Sequence, residues 1–187
     1  MGLPGEGLVR GSLKSTLVCL IAFLLFPVGA PHAHAAKCPP TDWDEIGPFY
    51  RPNAPVRSSI GKGYLLSGTV LSSRDCSAIP DARVEVWQTG PDGRYDDAHR
   101  ATIIADKRGR YQLETTPPRG YGNRPSHIHI LVDVKGFEGL ITQHYPRQGA
   151  KRGTFDLVLV PEAKDTEKSK GRVDDLVRPG RNQPKRQ

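Results

Sequence analysis

Short apolar runs follow one another along the chain from residue 64 onward, with polar turns between them. Val, Ile, Leu, Thr and Tyr dominate these runs, and we predict strands at 64–71, 83–88, 101–104, 111–115, 127–134, 140–145 and 155–160. Turn formers such as those at 90–93 separate the runs, and no stretch shows the periodicity of an amphipathic helix. The spacing therefore predicts an all-β fold, an antiparallel β-sandwich of the prealbumin or immunoglobulin kind.

Both flanks of this region differ from it in composition. Residues 37–62 are rich in proline and lack a regular pattern, which predicts an irregular N-terminal segment in a domain that spans 36–161. Residues 162–187 are charged, contain Pro179 and Pro184, and show no apolar periodicity. We predict a disordered tail there, because such a composition cannot bury enough apolar surface to order itself.

The start of the chain has the features of an export signal. Arg10 and Lys14 precede an apolar run at 17–26, which is too short to span a bilayer, and an A-x-A motif follows at 33–35. These features predict a signal peptide over 1–35, cleaved directly after the motif, and an exported protein, periplasmic or extracellular. An uncleaved signal anchor is the alternative, and no other stretch could span a membrane.

Two cysteines lie beyond the predicted signal, Cys38 and Cys76. A pair of thiols in an exported protein is usually a disulfide, so we predict a Cys38–Cys76 bridge. Two free thiols or two soft metal ligands are the alternatives.

The charge balance argues against a nucleic-acid-binding protein. The chain carries 27 Lys and Arg against 20 Asp and Glu, a formal charge of +7, and part of this excess lies in the tail. Aromatic residues do not interleave with the basic ones, and no basic stripe is present. We therefore predict no nucleic-acid partner and interpret the tail as solvated.

A His-x-His motif in the predicted strand 127–134 carries the first candidate chemistry. Strand side chains alternate between faces, so His127 and His129 share one face while Ile128 and Ile130 point towards a core. Two neighbouring imidazoles form a recurrent metal-binding arrangement. By itself the motif also fits two surface histidines on a half-exposed strand.

Two tyrosines, Tyr95 and Tyr121, favour ferric iron as the metal. Tyr121 lies in a Pro/Gly loop shortly before His127, and Tyr95 follows a turn. A phenol has a pKa of about 10 and is a poor ligand for most divalent ions. A trivalent ion stabilises phenolate, so two phenolates and two imidazoles suit Fe(III), whereas zinc favours Cys, His or carboxylate ligands. Taken alone, each tyrosine is more often a packing residue.

Together these residues give the sequence a resemblance to the intradiol ring-cleavage dioxygenases, the family that includes protocatechuate 3,4-dioxygenase and catechol 1,2-dioxygenase. The matching motifs run in family order through the predicted domain. They are Gly47-Pro48-Phe49-Tyr50, Val84-Glu85-Val86-Trp87-Gln88, Gly93-Arg94-Tyr95, Gly109-Arg110-Tyr111, Gly120-Tyr121, Arg124-Pro125-Ser126-His127-Ile128-His129 and Leu140-Ile141-Thr142-Gln143. Their combination is specific, although each motif is short.

The resemblance implies a non-haem enzyme in which four side chains hold Fe(3+). Tyr95 and Tyr121 match the two tyrosine ligands of the family, and His127 and His129 match its paired histidines. In the family, the ligand that Tyr121 matches leaves the metal when substrate binds.

The resemblance also implies two further catalytic residues and a reaction. Arg124 matches an arginine that lies against the substrate and stabilises negative charge, and Gln143 matches a glutamine beside the iron. The implied reaction cleaves a catechol between its two hydroxyl-bearing carbons with O2, giving a cis,cis-muconate-type product. Relatives carry a longer loop between the second tyrosine and the histidines than the residues at 122–126, which implies a more open site here. The resemblance does not indicate an oligomeric state.

Two other classes of protein fit parts of the pattern. Residues 105–111 resemble a turn of transthyretin-like and carboxypeptidase-regulatory domains, which would make the chain a non-catalytic secreted binding module. Such a module has no reason to combine both tyrosines with the His-x-His motif. A secreted scavenger of iron or catechols is the other class, and it would need neither Arg124 nor Gln143.

Overall fold

The computed structural model describes residues 1–2 and 38–163 of the 187-residue chain. The chain divides into two compact units, Met1–His34 and Ala35–Gln187, and residues 38–163 belong to the second. The predicted signal peptide from residue 3 onward and nearly all of the predicted tail, from residue 164 onward, lie outside the described residues.

Strands and turns make up the described part of the second unit. Numbered in chain order, the strands are β1 (Ser59–Ile60), β2 (Tyr64–Ser72), β3 (Arg83–Thr89), β4 (Tyr95–Ile104), β5 (Arg110–Thr115), β6 (Ile128–Asp133), β7 (Leu140–His144), β8 (Arg152–Thr154) and β9 (Leu157–Leu159). Residues 38–163 contain no helix, so they also hold none that could cross a membrane. The predicted all-β class is confirmed.

The strands form two sheets. In the four-stranded sheet, β4, β3, β6 and β7 lie in this order, and every neighbouring pair is antiparallel. The other sheet has the order β1, β5, β2 and β8, with β9 also paired to β2. Its central pair, β2 and β5, is antiparallel, whereas the short strands β1, β8 and β9 run parallel to their partners. The antiparallel prediction therefore holds for the main pairings and not for these short additions.

One apolar core fills the space between the sheets. Leu66 and Leu113 of one sheet pack in the same cluster as Val84, Ile128 and Ile130 of the other, and all five are fully buried. Burying such a side chain contributes roughly 1.5–3 kcal/mol relative to leaving it exposed. The alternate residues of β3 and β6 therefore point to the opposite, outer face of the four-stranded sheet, where a smaller apolar cluster forms around Trp87.

Two predicted strands differ from the observed ones. β4 begins at Tyr95, earlier than the predicted start at residue 101, because its polar first half does not show a strand's apolar alternation. The predicted strand 155–160 is replaced by β8 and β9, which both pair with β2. The break falls at Asp156, whose carboxylate accepts a hydrogen bond from the Thr69 amide (2.8 Å) in place of a carbonyl of a continuous ladder.

The predicted disulfide between Cys38 and Cys76 is present, with a Cα–Cα distance of 5.4 Å and a sequence separation of 38. Beyond it, Thr41 donates its amide to the Val158 carbonyl of β9 (3.1 Å) and Asp44 donates to the Ile141 carbonyl of β7 (2.9 Å). The N-terminal segment, predicted to be irregular over 37–62, is irregular apart from the short strand β1, and these bonds attach it to both sheets.

We expect replacement of both cysteines, Cys38→Ser with Cys76→Ser, to lower the free energy of unfolding by about 3–4 kcal/mol, because the bridge restricts the unfolded chain. Urea denaturation of the oxidised protein and the double variant measures the difference. Mass spectrometry with and without reductant provides the control, and two free thiols in the folded, unreduced protein would contradict the bridge.

Candidate metal centre

The candidate ligands lie on the outer face of the four-stranded sheet. The strand register places His129 of β6 between Trp87 of β3 and Gln143 of β7. His127 directly precedes β6, and Tyr95 begins β4 opposite Thr89, after an irregularity in the β3–β4 register. Such irregularities change the direction of a strand and so of the side chains that follow it.

Three predicted ligand atoms meet at one point. The Tyr95 Oη lies 3.2 Å from His127 Nε2 and 3.1 Å from His129 Nε2, and the two nitrogens are 3.1 Å apart. Ligands that share one ion at bond lengths of about 2 Å lie roughly 3 Å from each other. The three atoms therefore fit a common metal ion.

The fourth predicted ligand, Tyr121, lies beside this triangle. Its ring meets the Tyr95 ring edge-on at a centroid distance of 5.7 Å and lies tilted against the His127 ring at 5.8 Å. The structure thus brings all four predicted ligands into one cluster.

Both histidines are buried, so the interpretation as surface histidines is wrong. Each is only 2% exposed, because the N-terminal segment covers this face of the sheet. His127 Nδ1 lies 2.7 Å from the Pro125 carbonyl oxygen, which can only accept, so Nδ1 carries the proton and Nε2 presents its lone pair to the cluster. The local chain therefore orients this imidazole as a ligand.

The surroundings disfavour positive charge on the imidazoles and negative charge on the phenol. Burial lowers the pKa of His127, and burial together with the nearby His127 lowers the pKa of His129 to about 3. Burial and the hydrogen bond with Tyr121 raise the pKa of Tyr95 well above its ordinary value. The imidazoles are thus ready to bind a metal at neutral pH, whereas Tyr95 needs a strong cation to release its proton.

Residues 44–50, here named the covering segment, pack directly on the ligands. Gly47 has φ +69°, and a Cβ at this position would lie 3.1 Å from Cε1 of His129. Phe49 stacks on Tyr95 with a centroid distance of 4.4 Å and meets Tyr121 edge-on at 6.2 Å. Phe49 is nevertheless 43% exposed, so its ring forms part of the surface at the mouth of the site.

Trp87 supports the cluster from the sheet. Its indole is parallel to the His129 ring, with a centroid distance of 4.8 Å and an interplanar angle of 3°. Tyr50 of the covering segment meets Trp87 edge-on at 5.0 Å and hydrogen-bonds Glu85 through its hydroxyl (3.3 Å). The imidazole of His129 is therefore held between Trp87 and Gly47.

Arg124 and Gln143 form a polar network beside the ligands. Arg124 Nη2 donates to Gln143 Oε1 (2.6 Å), and Gln143 Nε2 donates to the Glu45 carbonyl oxygen (2.7 Å). The Tyr145 hydroxyl lies 3.0 Å from Gln143 Oε1 and 2.9 Å from Asp44 Oδ2. Gln143 is buried, and its bonds fix the direction of the Arg124 guanidinium.

Several of these contacts were not assigned a role from the sequence. Gly47, Phe49 and Trp87 belong to the motifs of the resemblance, which was the only signal for them. Glu45 and Tyr145 carry no local signal, because they reach the site through pairings such as Tyr145 with Asp44, which are 101 residues apart. Among residues 38–163, no group of three or more His, Cys, Asp and Glu side chains could hold a metal. The candidate centre therefore depends on its phenolic oxygens.

Sequence comparison finds dioxygenases, although no family model matches the chain. The chain is 30% identical over 133 residues to chlorocatechol 1,2-dioxygenase from Pseudomonas putida, which covers 53% of this chain and 51% of that protein. It is 31% identical over 111 residues to catechol 1,2-dioxygenase from Acinetobacter baylyi, which covers 44% of this chain and 35% of that protein. The chain thus spans about half or less of the length of each.

Structure comparison points the same way. The dioxygenase domain of a dioxygenase–carbohydrate-binding protein fusion from Streptomyces sp. SirexAA-E superposes with a TM-score of 0.60 at 28% identity, covering 66% of this chain and 99% of that domain. The catechol 1,2-dioxygenase of Acinetobacter radioresistens superposes with a TM-score of 0.56 at 26% identity, covering 63% of this chain and 62% of that enzyme. These relatives and the shared fold support the resemblance of the chain to the intradiol ring-cleavage dioxygenase family.

Proposed function

We propose that the protein is a non-haem Fe(III) dioxygenase that cleaves the ring of a catechol between its hydroxyl-bearing carbons and incorporates both atoms of O2. The observation that carries this proposal is the convergence of Tyr95 Oη, His127 Nε2 and His129 Nε2 within 3.2 Å of each other, with Tyr121 beside them. A zinc site would use Cys, His or carboxylate ligands, and no such cluster of three is present among residues 38–163.

The donor set fits ferric iron on physical grounds. Two phenolic oxygens are hard, anionic ligands once deprotonated, and the raised pKa of Tyr95 means that only a highly charged cation would take the place of its proton. Tyr95, Tyr121, His127 and His129 would hold the ion. Iron in this position would act as a Lewis acid that binds the deprotonated catechol and makes its ring reactive towards O2.

The residues around the ligands provide proton transfer and charge stabilisation. Binding a catechol through both oxygens would release two hydroxyl protons, of which the Tyr121 phenolate would accept one and solvent hydroxide the other. Arg124, directed by Gln143, supplies a fixed positive charge where negative charge develops on the ring. Trp87 and Gly47 keep the His129 ring in place during this exchange.

We also propose that the protein acts outside the cytoplasm on catechols present there, with a cis,cis-muconate-type product. The predicted signal peptide supports this location, and the Cys38–Cys76 disulfide is typical of oxidising compartments. Only residues 122–126 separate Tyr121 from His127, which supports an open site that admits substituted rings.

The iron-loaded protein should be red-brown, because phenolate ligands transfer charge to ferric iron on light absorption. We expect Tyr95→Phe and Tyr121→Phe to weaken and shift the visible band, and His129→Ala to reduce bound iron. Absorption spectra and iron content per chain provide the measurement. Tyr64→Phe is the matched control, since the Tyr64 hydroxyl pairs with His144 at 2.7 Å instead. A colourless, iron-loaded protein would contradict phenolate ligation.

Oxygen uptake with catechol, protocatechuate, hydroxyquinol and methoxylated catechols tests the reaction itself. We expect one O2 consumed per ring and a muconate-type product identified by mass spectrometry. Arg124→Gln should raise the barrier by about 2–4 kcal/mol, since it removes one positive charge from the site. Arg108→Gln, in an exposed turn, is the control and should leave kcat unchanged. An extradiol semialdehyde as the product would contradict the proposed mechanism.

Gly47→Ala should weaken iron binding by bringing a methyl group against the His129 ring. Gly149→Ala is the matched control, because Gly149 has a similar φ of +74° and nothing within 4 Å of its Cβ position. Both variants lose about 1–2 kcal/mol of stability from the left-handed backbone. Titration with ferric ion, followed at the visible band, should show reduced affinity for Gly47→Ala alone; equal affinities would reject the packing argument.

A further inference from the structure

The covering segment places two carboxylates beside Arg124. Glu45 Oε2 lies 3.3 Å from Arg124 Nη1. Asp44 lies on the other side of the same network, with Oδ1 3.4 Å from Gln143 Nε2 and Oδ2 2.9 Å from the Tyr145 hydroxyl. The Glu45 and Arg124 side chains are 55% and 34% exposed, so this pair stands at the solvent-accessible edge of the candidate site.

Each guanidinium nitrogen of Arg124 is already engaged or buried. Nη2 donates to Gln143, Nη1 pairs with Glu45, and Nε is buried. A carboxylate that approached this guanidinium would have to compete with Glu45 for it. It would also meet the negative charge of Asp44, because two carboxylates lie beside this one guanidinium and its network.

A neutral catechol meets no such obstacle. Its hydroxyls would bind at the ligand cluster, and its unsubstituted ring edge is uncharged. The negative charge of Glu45 would therefore not repel it. Charged side chains at the rim of a binding site commonly act in this way, since like charges discriminate between ligands more than they change overall affinity.

We propose that Glu45 is a specificity-determining residue that makes this site select neutral catechols over catechols bearing a ring carboxylate. The proposal rests on the proposed function, because it assumes that a catechol binds next to Arg124. An exposed ion pair contributes little to the free energy of folding. The proposal therefore gives the Glu45–Arg124 pair a role in substrate selection instead.

The ratio of kcat/KM for protocatechuate to kcat/KM for catechol, measured with the iron-loaded enzyme, tests this proposal. Glu45→Gln keeps the side-chain shape and the backbone carbonyl that holds Gln143, but removes the charge. In Glu45→Gln we expect this ratio to rise roughly three- to fivefold, because the variant removes one charge that solvent partly screens. In Glu45→Lys it should rise further. Glu138→Gln is the matched control, because Glu138 is an exposed carboxylate in the turn between β6 and β7.

Two further measurements use salt as the variable, and in the wild type they do not depend on how well a variant folds. In the wild type the same ratio should increase with ionic strength, because salt screens the repulsion of the carboxylate. Competitive inhibition by 4-hydroxybenzoate, relative to 4-hydroxybenzyl alcohol, should strengthen in Glu45→Gln and with added salt.

The outcomes separate this proposal from the proposed function. If the wild type turns over catechols but the ratio in Glu45→Gln equals that in Glu138→Gln, the specificity role is wrong and the dioxygenase stands. An equal loss of activity on both substrates would also overturn it, since that is the effect of a merely structural residue. If the iron-loaded wild type cleaves none of the catechols tested above, both proposals are overturned.

Discussion

One face of strand β6 packs in the apolar core and the other carries the candidate metal ligand His129, and the candidate centre depends on this division. Ile128, Ile130 and Val132 fill the core between the sheets, which leaves the intervening positions on the outer face. Pairing with β3 on one side and β7 on the other then aligns His129 with Trp87 and Gln143. A slip of one residue would move the imidazole into the core, so the same apolar packing that stabilises the sandwich also fixes the position of the ligand.

Burial gives this outer face its chemical character. In a domain where one sheet face normally contacts water, the covering segment excludes solvent from two imidazoles and most of a phenol. Each group is then most stable in its neutral form, as the lowered pKa of His129 and the raised pKa of Tyr95 show. Such a cluster directs several lone pairs at one point and carries little charge of its own. A strongly charged cation at that point would supply the positive charge that the lone pairs can bind.

Local pattern predicted the features that local forces determine. The β-branched runs predicted most strands, and the alternation of 127–134 predicted that His127 and His129 share a face. It failed for β4, whose first half is polar, and for the break at Asp156, where a side chain replaces a ladder carbonyl. The polar network around Gln143 could not be predicted, because Glu45 and Arg124 are 79 residues apart and meet only in the folded chain. The chemistry of phenolate ligands and the resemblance together indicated Tyr95 and Tyr121, and in the structure their rings lie 5.7 Å apart beside the two histidines.

The distance along the chain between the covering segment and β7 bears on how the protein matures. Asp44 and Gln143 are separated by 99 residues. The covering segment is synthesised early, and it can pack over the ligands only after β7, near the end of the domain, has been synthesised. Contacts of such long range form late in folding, after loop-closure entropy has been overcome. Tyr121, His127 and His129 are close together in sequence, whereas Tyr95 and the covering segment reach them only when the four-stranded sheet assembles. A complete and covered centre therefore requires the folded domain, and the colour of the loaded protein would report that these distant parts have met.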